Sequence, residues 1–142
     1  MSTTDFGMAR MNVSDALPRL PDVRFAHWLP RLLLAAIILQ QGYIKFPLLA
    51  SDAAGYGVPY FMWGLAALGE LFAGMALIIG GLIKSRLGDI ITRTGAALLA
   101  LIVASVIVVV YWAPPLDLFL GNQTHLLLLA GGLYFAFRGN NA

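Results

Sequence analysis

Long apolar runs separated by short polar segments fill the chain after about residue 30. The runs cover residues 31–49, 59–83, 90–112 and 122–138. Each lies close to the roughly 17–25 residues that a membrane-spanning helix needs. Pro114 and Pro115 end the third run, because neither residue donates a backbone hydrogen bond. The pattern predicts an all-α integral membrane protein, built as an antiparallel four-helix bundle with short connections.

The segments outside these runs predict tails rather than further domains. Residues 1–30 are polar and contain Pro18, Pro21 and Pro30, which prevent a continuous helix. We expect a polar cytoplasmic tail there, a four-helix domain over residues 31–138, and a short C-terminal tail over residues 139–142. The first run is not predicted to be a cleaved signal, because the segment before it is long and contains acids and prolines.

Composition supports a membrane protein and excludes several other classes. The chain is 60% hydrophobic and 11% charged, with a mean hydropathy of +0.82. A soluble protein carries about 25% charged residues, so this chain lacks the polar surface that a soluble fold needs. It contains no cysteine, which excludes disulfides and iron–sulfur ligation. The basic residues are spread over separate segments, so nucleic acid is not an expected partner.

The charges segregate between the two sides that the four runs define. Cytoplasmic segments of membrane proteins are enriched in lysine and arginine. One side has Arg10, Arg19, Arg24, Arg31, Lys84, Arg86, Arg93 and Arg138, and the other has Lys45, Asp52 and Asp117. We therefore expect a multi-pass protein of the bacterial cytoplasmic membrane with both termini inside. Arg31, Lys84, Arg86 and Arg93 are expected to contact lipid phosphates, and a pocket for an anion between Arg31 and Arg93 is the alternative.

Glu70 is the only formal charge between Val58 and Ile83. It would lie roughly 18 Å from one end of that run and about 20 Å from the other. A carboxyl group at this depth costs about 2.5–3.5 kcal/mol on insertion scales. Small residues lie three or four positions away and share its helix face. We therefore expect Glu70 to face other helices. The residues expected to pack helices together are Ala66, Ala73, Gly74, Ala96, Ala100 and Ala104.

Other polar residues of the first run extend this candidate site. Gln40 and Gln41 should lie near the depth of Glu70, where an amide could hydrogen-bond its carboxyl group. Lys45 should lie about 12 Å closer to the surface. A direct Lys45–Glu70 salt bridge would need a tilt or a bend and is not expected. Lys45 either extends to the headgroups or joins the site.

Glu70 itself has two interpretations. The favoured one is a neutral carboxyl group that joins two helices by hydrogen bonds, because burial disfavours the charged form. The other is a site that carries protons or binds a ligand. His27 and His125 should lie on opposite sides of the membrane, which argues against a shared haem or metal. No nucleotide-binding or hydrolase motif is present in the sequence. We predict no cofactor held by this chain, apart from a bound quinone or lipid.

Several short motifs resemble those of the DoxX family, which consists of small four-helix bacterial membrane proteins. The resemblance covers about residues 25–138. It is carried by Arg31, by Gly42-Tyr43-Ile44-Lys45 and the following Phe46, by Leu68-Gly69-Glu70-Leu71-Phe72-Ala73-Gly74, and by Gly80, Gly81, Lys84 and Arg86. The family is named for a link to an archaeal thiosulfate:quinone oxidoreductase. The resemblance implies the four-helix fold, and it implies redox or oxidative-stress membrane complexes as the setting.

Three functions remain open from the sequence. The favoured hypothesis is an accessory subunit of a larger membrane complex that handles electrons or quinones, with lipids, other subunits or a second copy as partners. This chain would then not be an enzyme by itself. The second is a subunit that binds quinone or substrate in a thiosulfate:quinone oxidoreductase-like enzyme. Glu70 would exchange protons there, and Gln41 and Lys45 would bind the polar end of the ligand. The third is a small proton-coupled transporter with Glu70 as its coupling site.

Overall fold

The fold is given by a computed structural model, which describes residues 25–141. Six α-helices and a terminal 3-10 turn make up this part of the chain, and it contains no strand. The helices are α1 (Trp28–Tyr43), α2 (Ala50–Gly55), α3 (Tyr60–Leu82), α4 (Arg86–Val109), α5 (Pro115–Gly121) and α6 (Gln123–Arg138), and the turn is Gly139–Asn141. The predicted all-helical class is therefore confirmed for the described residues. The predicted tail over residues 1–30 lies almost wholly outside them.

Two helices among the described residues are long and apolar enough to cross a membrane. They are α3 (23 residues) and α4 (24 residues), judged by length and composition. Helices α1 and α6 have 16 residues each, or about 24 Å of helix. Membrane character is thus supported by the α3–α4 pair.

The first helix differs most from the predicted range of 31–49. It begins three residues earlier, at Trp28, and ends at Tyr43. The chain leaves the helix through tight turns, in which the N–H groups of Lys45 and Phe46 donate to the carbonyl oxygens of Gly42 and Tyr43. Pro47 follows directly, and a proline disfavours helical geometry in the residue before it, which here is Phe46. The apolar residues up to Leu49 continue the hydrophobic run without continuing the helix.

The other boundaries lie close to prediction, but two short helices were not predicted. Helix α3 begins and ends one residue inside the predicted range of 59–83. Helix α4 starts at Arg86 and ends at Val109, earlier at both ends than the predicted 90–112. Helix α2 and helix α5 occupy segments that hydropathy alone marks as loops. Pro115 opens α5, where a proline is favoured because the first helical N–H needs no partner.

Helices α1, α3, α4 and α6 pack side by side as antiparallel neighbours. Gly42 of α1 approaches Ala67 of α3 at one end, and Gly81 of α3 approaches Arg31 of α1 at the other. Helices α3 and α4 are also antiparallel. Gly69 of α3 approaches Ile102 of α4, whereas Gly95, earlier in α4, approaches Ala76, which comes later in α3. Helix α6 lies against α4 through Gly132, and against α1 through Gly131 and Leu34. Helix α3 therefore lies between α1 and α4.

Small residues allow this close approach, although not all of those predicted. Ala73, Ala96 and Ala100 are buried, and a side chain on Gly74 would collide with Leu39 and Ile38. Ala66 and Ala104 are only half-buried. The larger residues of the core, among them Leu77, Leu99 and Phe135, fill the space between the helices.

Large apolar residues also cover the outer surface of the molecule. Leu65 and Leu101 are each 65% exposed, and many others on α1, α3, α4 and α6 are similarly open. The interior, by contrast, contains the buried polar residues Arg31, Glu70 and Thr92. Apolar side chains outside and charged groups inside are the arrangement expected of a protein surrounded by lipid.

Candidate functional site

Lys45 and Glu70 form a salt bridge inside the bundle. Lys45 Nζ lies 2.6 Å from Glu70 Oε2 and also donates to the backbone oxygen of Gln41 at 3.0 Å. The two side chains are 11% and 6% exposed. The expectation that the two groups would lie at different depths was wrong. Because α1 ends at Tyr43, the following turn brings Lys45 back beside α3 instead of carrying it farther along the helix axis.

Aromatic side chains surround this ion pair. Lys45 Nζ lies 5.2 Å from the centroid of the Trp63 ring, within the range of a cation–π contact. Trp63 in turn stacks on Tyr56. The indole Nε1 of Trp63 is buried and has no hydrogen-bond partner among the described residues. A buried donor without an acceptor costs about 1–3 kcal/mol, so this N–H marks a place where a ligand or water could bind.

The ion pair opens onto a cavity of about 1060 Å³, which we call the Glu70 chamber. Its walls come from α1, from the segment around α2, and from α3, α4 and α6. Most of the lining is apolar. The polar and aromatic members are Gln41, Lys45, Ser51, Asp52, Tyr56, Trp63, Glu70, Phe72, Ser105, Tyr111, Thr124 and His125. The volume is sufficient for a drug-sized molecule.

Of the two glutamines predicted for this site, only one lines the chamber. Gln41 is half-buried and lines the chamber. Its backbone oxygen also accepts a hydrogen bond from Lys45. Gln40 is exposed and does not line it. Successive helical residues are rotated by about 100°, so the two glutamine side chains point in different directions, and of the two only Gln41 reaches the chamber. Gln40 is therefore removed from the predicted cluster.

Sequence reasoning missed Trp63, Tyr111 and His125, which are aromatic members of the chamber. Trp63 lies seven residues before Glu70 on the same helix, and this spacing places both on one face. That signal was present in the sequence. Tyr111 and His125 come from beyond the end of α4 and from α6, and their rings lie 4.7 Å apart. No local pattern links them to Glu70, because only the fold brings those segments together.

The opposite end of the bundle contains a second polar group, the Arg31 cluster. The Arg31 side chain is fully buried and donates to Leu77 O at 2.9 Å, Thr92 Oγ1 at 3.0 Å and Asn140 Oδ1 at 3.0 Å. Its guanidinium carbon also lies 4.7 Å from the centroid of the Phe135 ring. The predicted contact with lipid phosphates is wrong for Arg31, because backbone and side-chain oxygens of α3, α4 and the terminal turn surround it instead.

A carboxylate of the protein, Asp89, lies where the alternative interpretation placed an anion pocket. Asp89 accepts a hydrogen bond from the Asn140 N–H at 2.8 Å and pairs with Arg93 at 2.7 Å. Arg93 also donates to Phe137 O at 2.6 Å, at the end of α6. Both guanidinium groups therefore donate to oxygen atoms of the described residues, where the alternative would have them bind an anion. Lys84 and Arg86 are exposed, and their contact with lipid stays a prediction.

The chamber has the groups needed to bind an uncharged polar head and to exchange a proton with it. Lys45 and Trp63 offer donors, whereas Glu70 Oε1 is not hydrogen-bonded by any described residue. A carboxylate within hydrogen-bond reach of a ligand hydroxyl can act as a general base. Among residues 25–141, no three His, Cys, Asp or Glu side chains lie together in a way that could hold a metal ion.

Comparison of the chain with protein-family models, with curated proteins and with solved structures gives no match. The resemblance to the DoxX family therefore stays a prediction.

Proposed function

We propose that this chain is the quinone-binding membrane subunit of a redox assembly, and that it holds the quinone head in the Glu70 chamber. The observation that carries the proposal is the buried Lys45–Glu70 pair, which opens onto a mostly apolar cavity. The sequence favoured an accessory subunit, but a subunit that binds no ligand does not need a cavity of this kind.

The chemistry of a quinone matches the groups in the chamber. A quinone carbonyl oxygen accepts hydrogen bonds, which Lys45 and the unpartnered Trp63 N–H can donate. A quinol hydroxyl donates one, which Glu70 can accept together with the proton. A buried ion pair is often no more stabilising than an apolar replacement of similar volume. A role in ligand binding gives a reason for retaining the pair at this position.

We further propose that α1, α3, α4 and α6 all cross the bacterial cytoplasmic membrane, with both termini in the cytoplasm. The support is that α1 and α6 run beside the two longer helices from the Arg31 cluster to the Glu70 chamber. Lys84 and Arg86 then lie at the cytoplasmic end. The segment around Asp52 and the connection containing Asp117 lie at the opposite end.

A second candidate function, an accessory subunit within a larger assembly, is favoured by Gln40. This amide is exposed on α1, beside the exposed apolar residues Leu33 and Tyr43. An amide that faces lipid gains a hydrogen bond when another helix covers it, which makes Gln40 a candidate contact for a partner subunit. We expect Gln40→Leu to weaken co-purification of such a subunit in mild detergent without changing the fold.

Quinone binding by the Glu70→Gln variant tests the main proposal. The experiment uses the full chain in lipid nanodiscs, titrated with a tailed benzoquinone or naphthoquinone and followed by calorimetry. We expect Glu70→Gln to lower affinity at least about tenfold, which corresponds to about 1.4 kcal/mol. Asp117→Asn is the matched control, because it removes an exposed carboxylate that does not line the chamber.

Two results would overturn the proposal. One is absence of quinone binding by the unaltered protein. The other is equal affinity in the Glu70→Gln and Asp117→Asn variants.

A further inference from the structure

The Glu70 chamber continues from the core of the bundle to its outer surface. Its walls include Ile38, Val103 and Leu128, which are buried between the helices. They also include Leu65 and Leu101, which are each 65% exposed on the outside of α3 and α4. A single continuous space therefore joins the ion pair to the face that we propose is in contact with lipid.

The passage between these regions lies along the contact of α3 and α4, and we call it the α3–α4 seam. It is formed by Gly69, Phe72, Leu101 and Ile102, all of which line the chamber. Gly69 has no side chain, and a Cβ atom there would lie 2.8 Å from Ile102 Cδ1. The seam is therefore narrowed by one flexible side-chain tip rather than by backbone.

The seam is apolar along its length. Ser105 is the polar residue beside it, and its hydroxyl donates to Leu101 O at 2.8 Å within the same helix. The mouth of the chamber near α2 is different, because Ser51, Asp52 and Tyr56 line it. A polar head group fits the chamber and its polar mouth, whereas only a hydrocarbon chain matches the seam.

We propose that the ligand's hydrocarbon tail lies in the α3–α4 seam, and that the ligand exchanges directly with the bilayer through it. This inference rests on the proposed function and names its substrate class as a lipophilic molecule with an uncharged polar head. The head is uncharged because Glu70 already neutralises the ammonium group of Lys45, which leaves no net positive charge for a phosphate. Hydrocarbon that passes between apolar side chains into lipid is not exposed to water at any stage.

Opposite changes at the seam test this route. Gly69→Leu fills the seam, and Ile102→Ala widens it. We expect Gly69→Leu to slow transfer of a tailed quinone from the protein to acceptor vesicles about tenfold, and Ile102→Ala to accelerate it. The exchange rate of a quinone analogue without a tail should change far less than that of the tailed quinone in both variants. Gly64→Leu is the matched control, because Gly64 lies on the same helix outside the chamber and has only an ordinary contact with Leu48.

A photoreactive group at the end of the quinone tail gives a second measurement that does not depend on a folded variant. In the unaltered protein, we expect mass spectrometry to find the label on Phe72, Leu101 or their neighbours. Label confined to residues 51–58, or tailed-quinone transfer rates equal in the Gly69→Leu and Gly64→Leu proteins, would overturn the lateral route.

The outcomes separate this inference from the proposed function. If Glu70→Gln removes binding while the label stays on residues 51–58, the quinone site stands and only the lateral route fails. If the unaltered protein binds no quinone, the proposed function and this inference both fail.

Discussion

At the scale of single residues, the Lys45 and Arg31 cations inside the bundle are stabilised in different ways. Lys45 has a carboxylate as its direct partner, whereas Arg31 is surrounded mainly by neutral oxygens from Leu77, Thr92 and Asn140. A guanidinium group suits the second arrangement, because its five donors lie in a fixed plane and can reach several acceptors at once. The Arg31 cluster therefore holds α1 against α3, α4 and the terminal turn, and the Lys45–Glu70 pair remains available to a ligand.

Asn140 should contribute measurably to stability. Its side chain accepts from Arg31 and Thr92 and donates to Gly80 O at 2.8 Å, so Asn140→Ala leaves buried groups without partners. We expect a loss of about 1–3 kcal/mol, seen as a lower thermal midpoint in detergent. Asn122→Ala is the control, because Asn122 caps α6 without a side-chain hydrogen bond. Equal midpoints for the two variants would contradict this role.

A double-mutant cycle can separate structure from function at the ion pair. Lys45→Met alone leaves Glu70 as an unpaired buried charge, which costs about 3–5 kcal/mol when it stays ionised. Adding Glu70→Gln should restore much of the stability, measured by the same unfolding assay, without restoring quinone binding. Recovery of both properties would mean that the chamber binds quinone without the pair, and recovery of neither would mean that the pair is needed for folding.

At this scale, the sequence was enough to select the candidate residues, but it did not predict which partners they contact. An isolated charge in an apolar run is visible in the sequence, so Glu70, Lys45 and Arg31 could be selected as candidates. Their partners depend on turns and on the docking of distant segments. Arg31 meets Asn140 across 109 positions of the chain, a separation at which sequence carries no pairing signal.

At the scale of helices, close packing near the α3–α4 connection depends on glycine. A Cβ atom on Gly80 would lie 2.7 Å from the backbone nitrogen of Thr92 and 2.9 Å from the backbone oxygen of Gly88. Backbone atoms cannot move aside as a side-chain tip can. The two helices must therefore separate if Gly80 gains a side chain.

We expect Gly80→Ala to lower stability by about 1–3 kcal/mol, the usual range for overpacking a well-packed contact. Gly55→Ala is the control, because a Cβ atom there meets nothing within 4 Å. Thermal unfolding in detergent provides the measurement. A Gly80→Ala protein as stable as Gly55→Ala would show that the helix contact can relax without loss.

Helix prediction was accurate where the apolar run and the helix end together. Helix α3 begins directly after Pro59 and ends two residues before Lys84, so a proline and a charge mark its ends in the sequence. Helix α1 shows the opposite case, because residues 44–49 are apolar apart from Lys45 but belong to a turn and its continuation. Hydrophobicity reports the surroundings of a residue and does not report whether its backbone is helical.

At the scale of the whole molecule, the proposed topology places Ser51 and Ser85 on opposite sides of the membrane. Both serines are exposed and the chain contains no cysteine, so each can be replaced by a single, nearly isosteric reporter. We expect a membrane-impermeant maleimide to label the Ser51→Cys protein in intact spheroplasts, and the Ser85→Cys protein only after permeabilisation. The reverse labelling pattern would invert the topology, and labelling of both in intact spheroplasts would contradict the four-span arrangement.

The Arg31 cluster also has a consequence for the order in which the protein is made. Arg31 emerges from the ribosome 109 residues before Asn140, so in the proposed topology α1 enters the membrane before the guanidinium group has its final partner. Because Arg31 lies in the first turn of α1, its side chain can contact the lipid headgroups during this interval. Synthesis of the segment that contains Asn140 would then draw Arg31 inward and hold the helices together. Nascent chains arrested before residue 140 should therefore remain more sensitive to protease at this end than chains arrested after it.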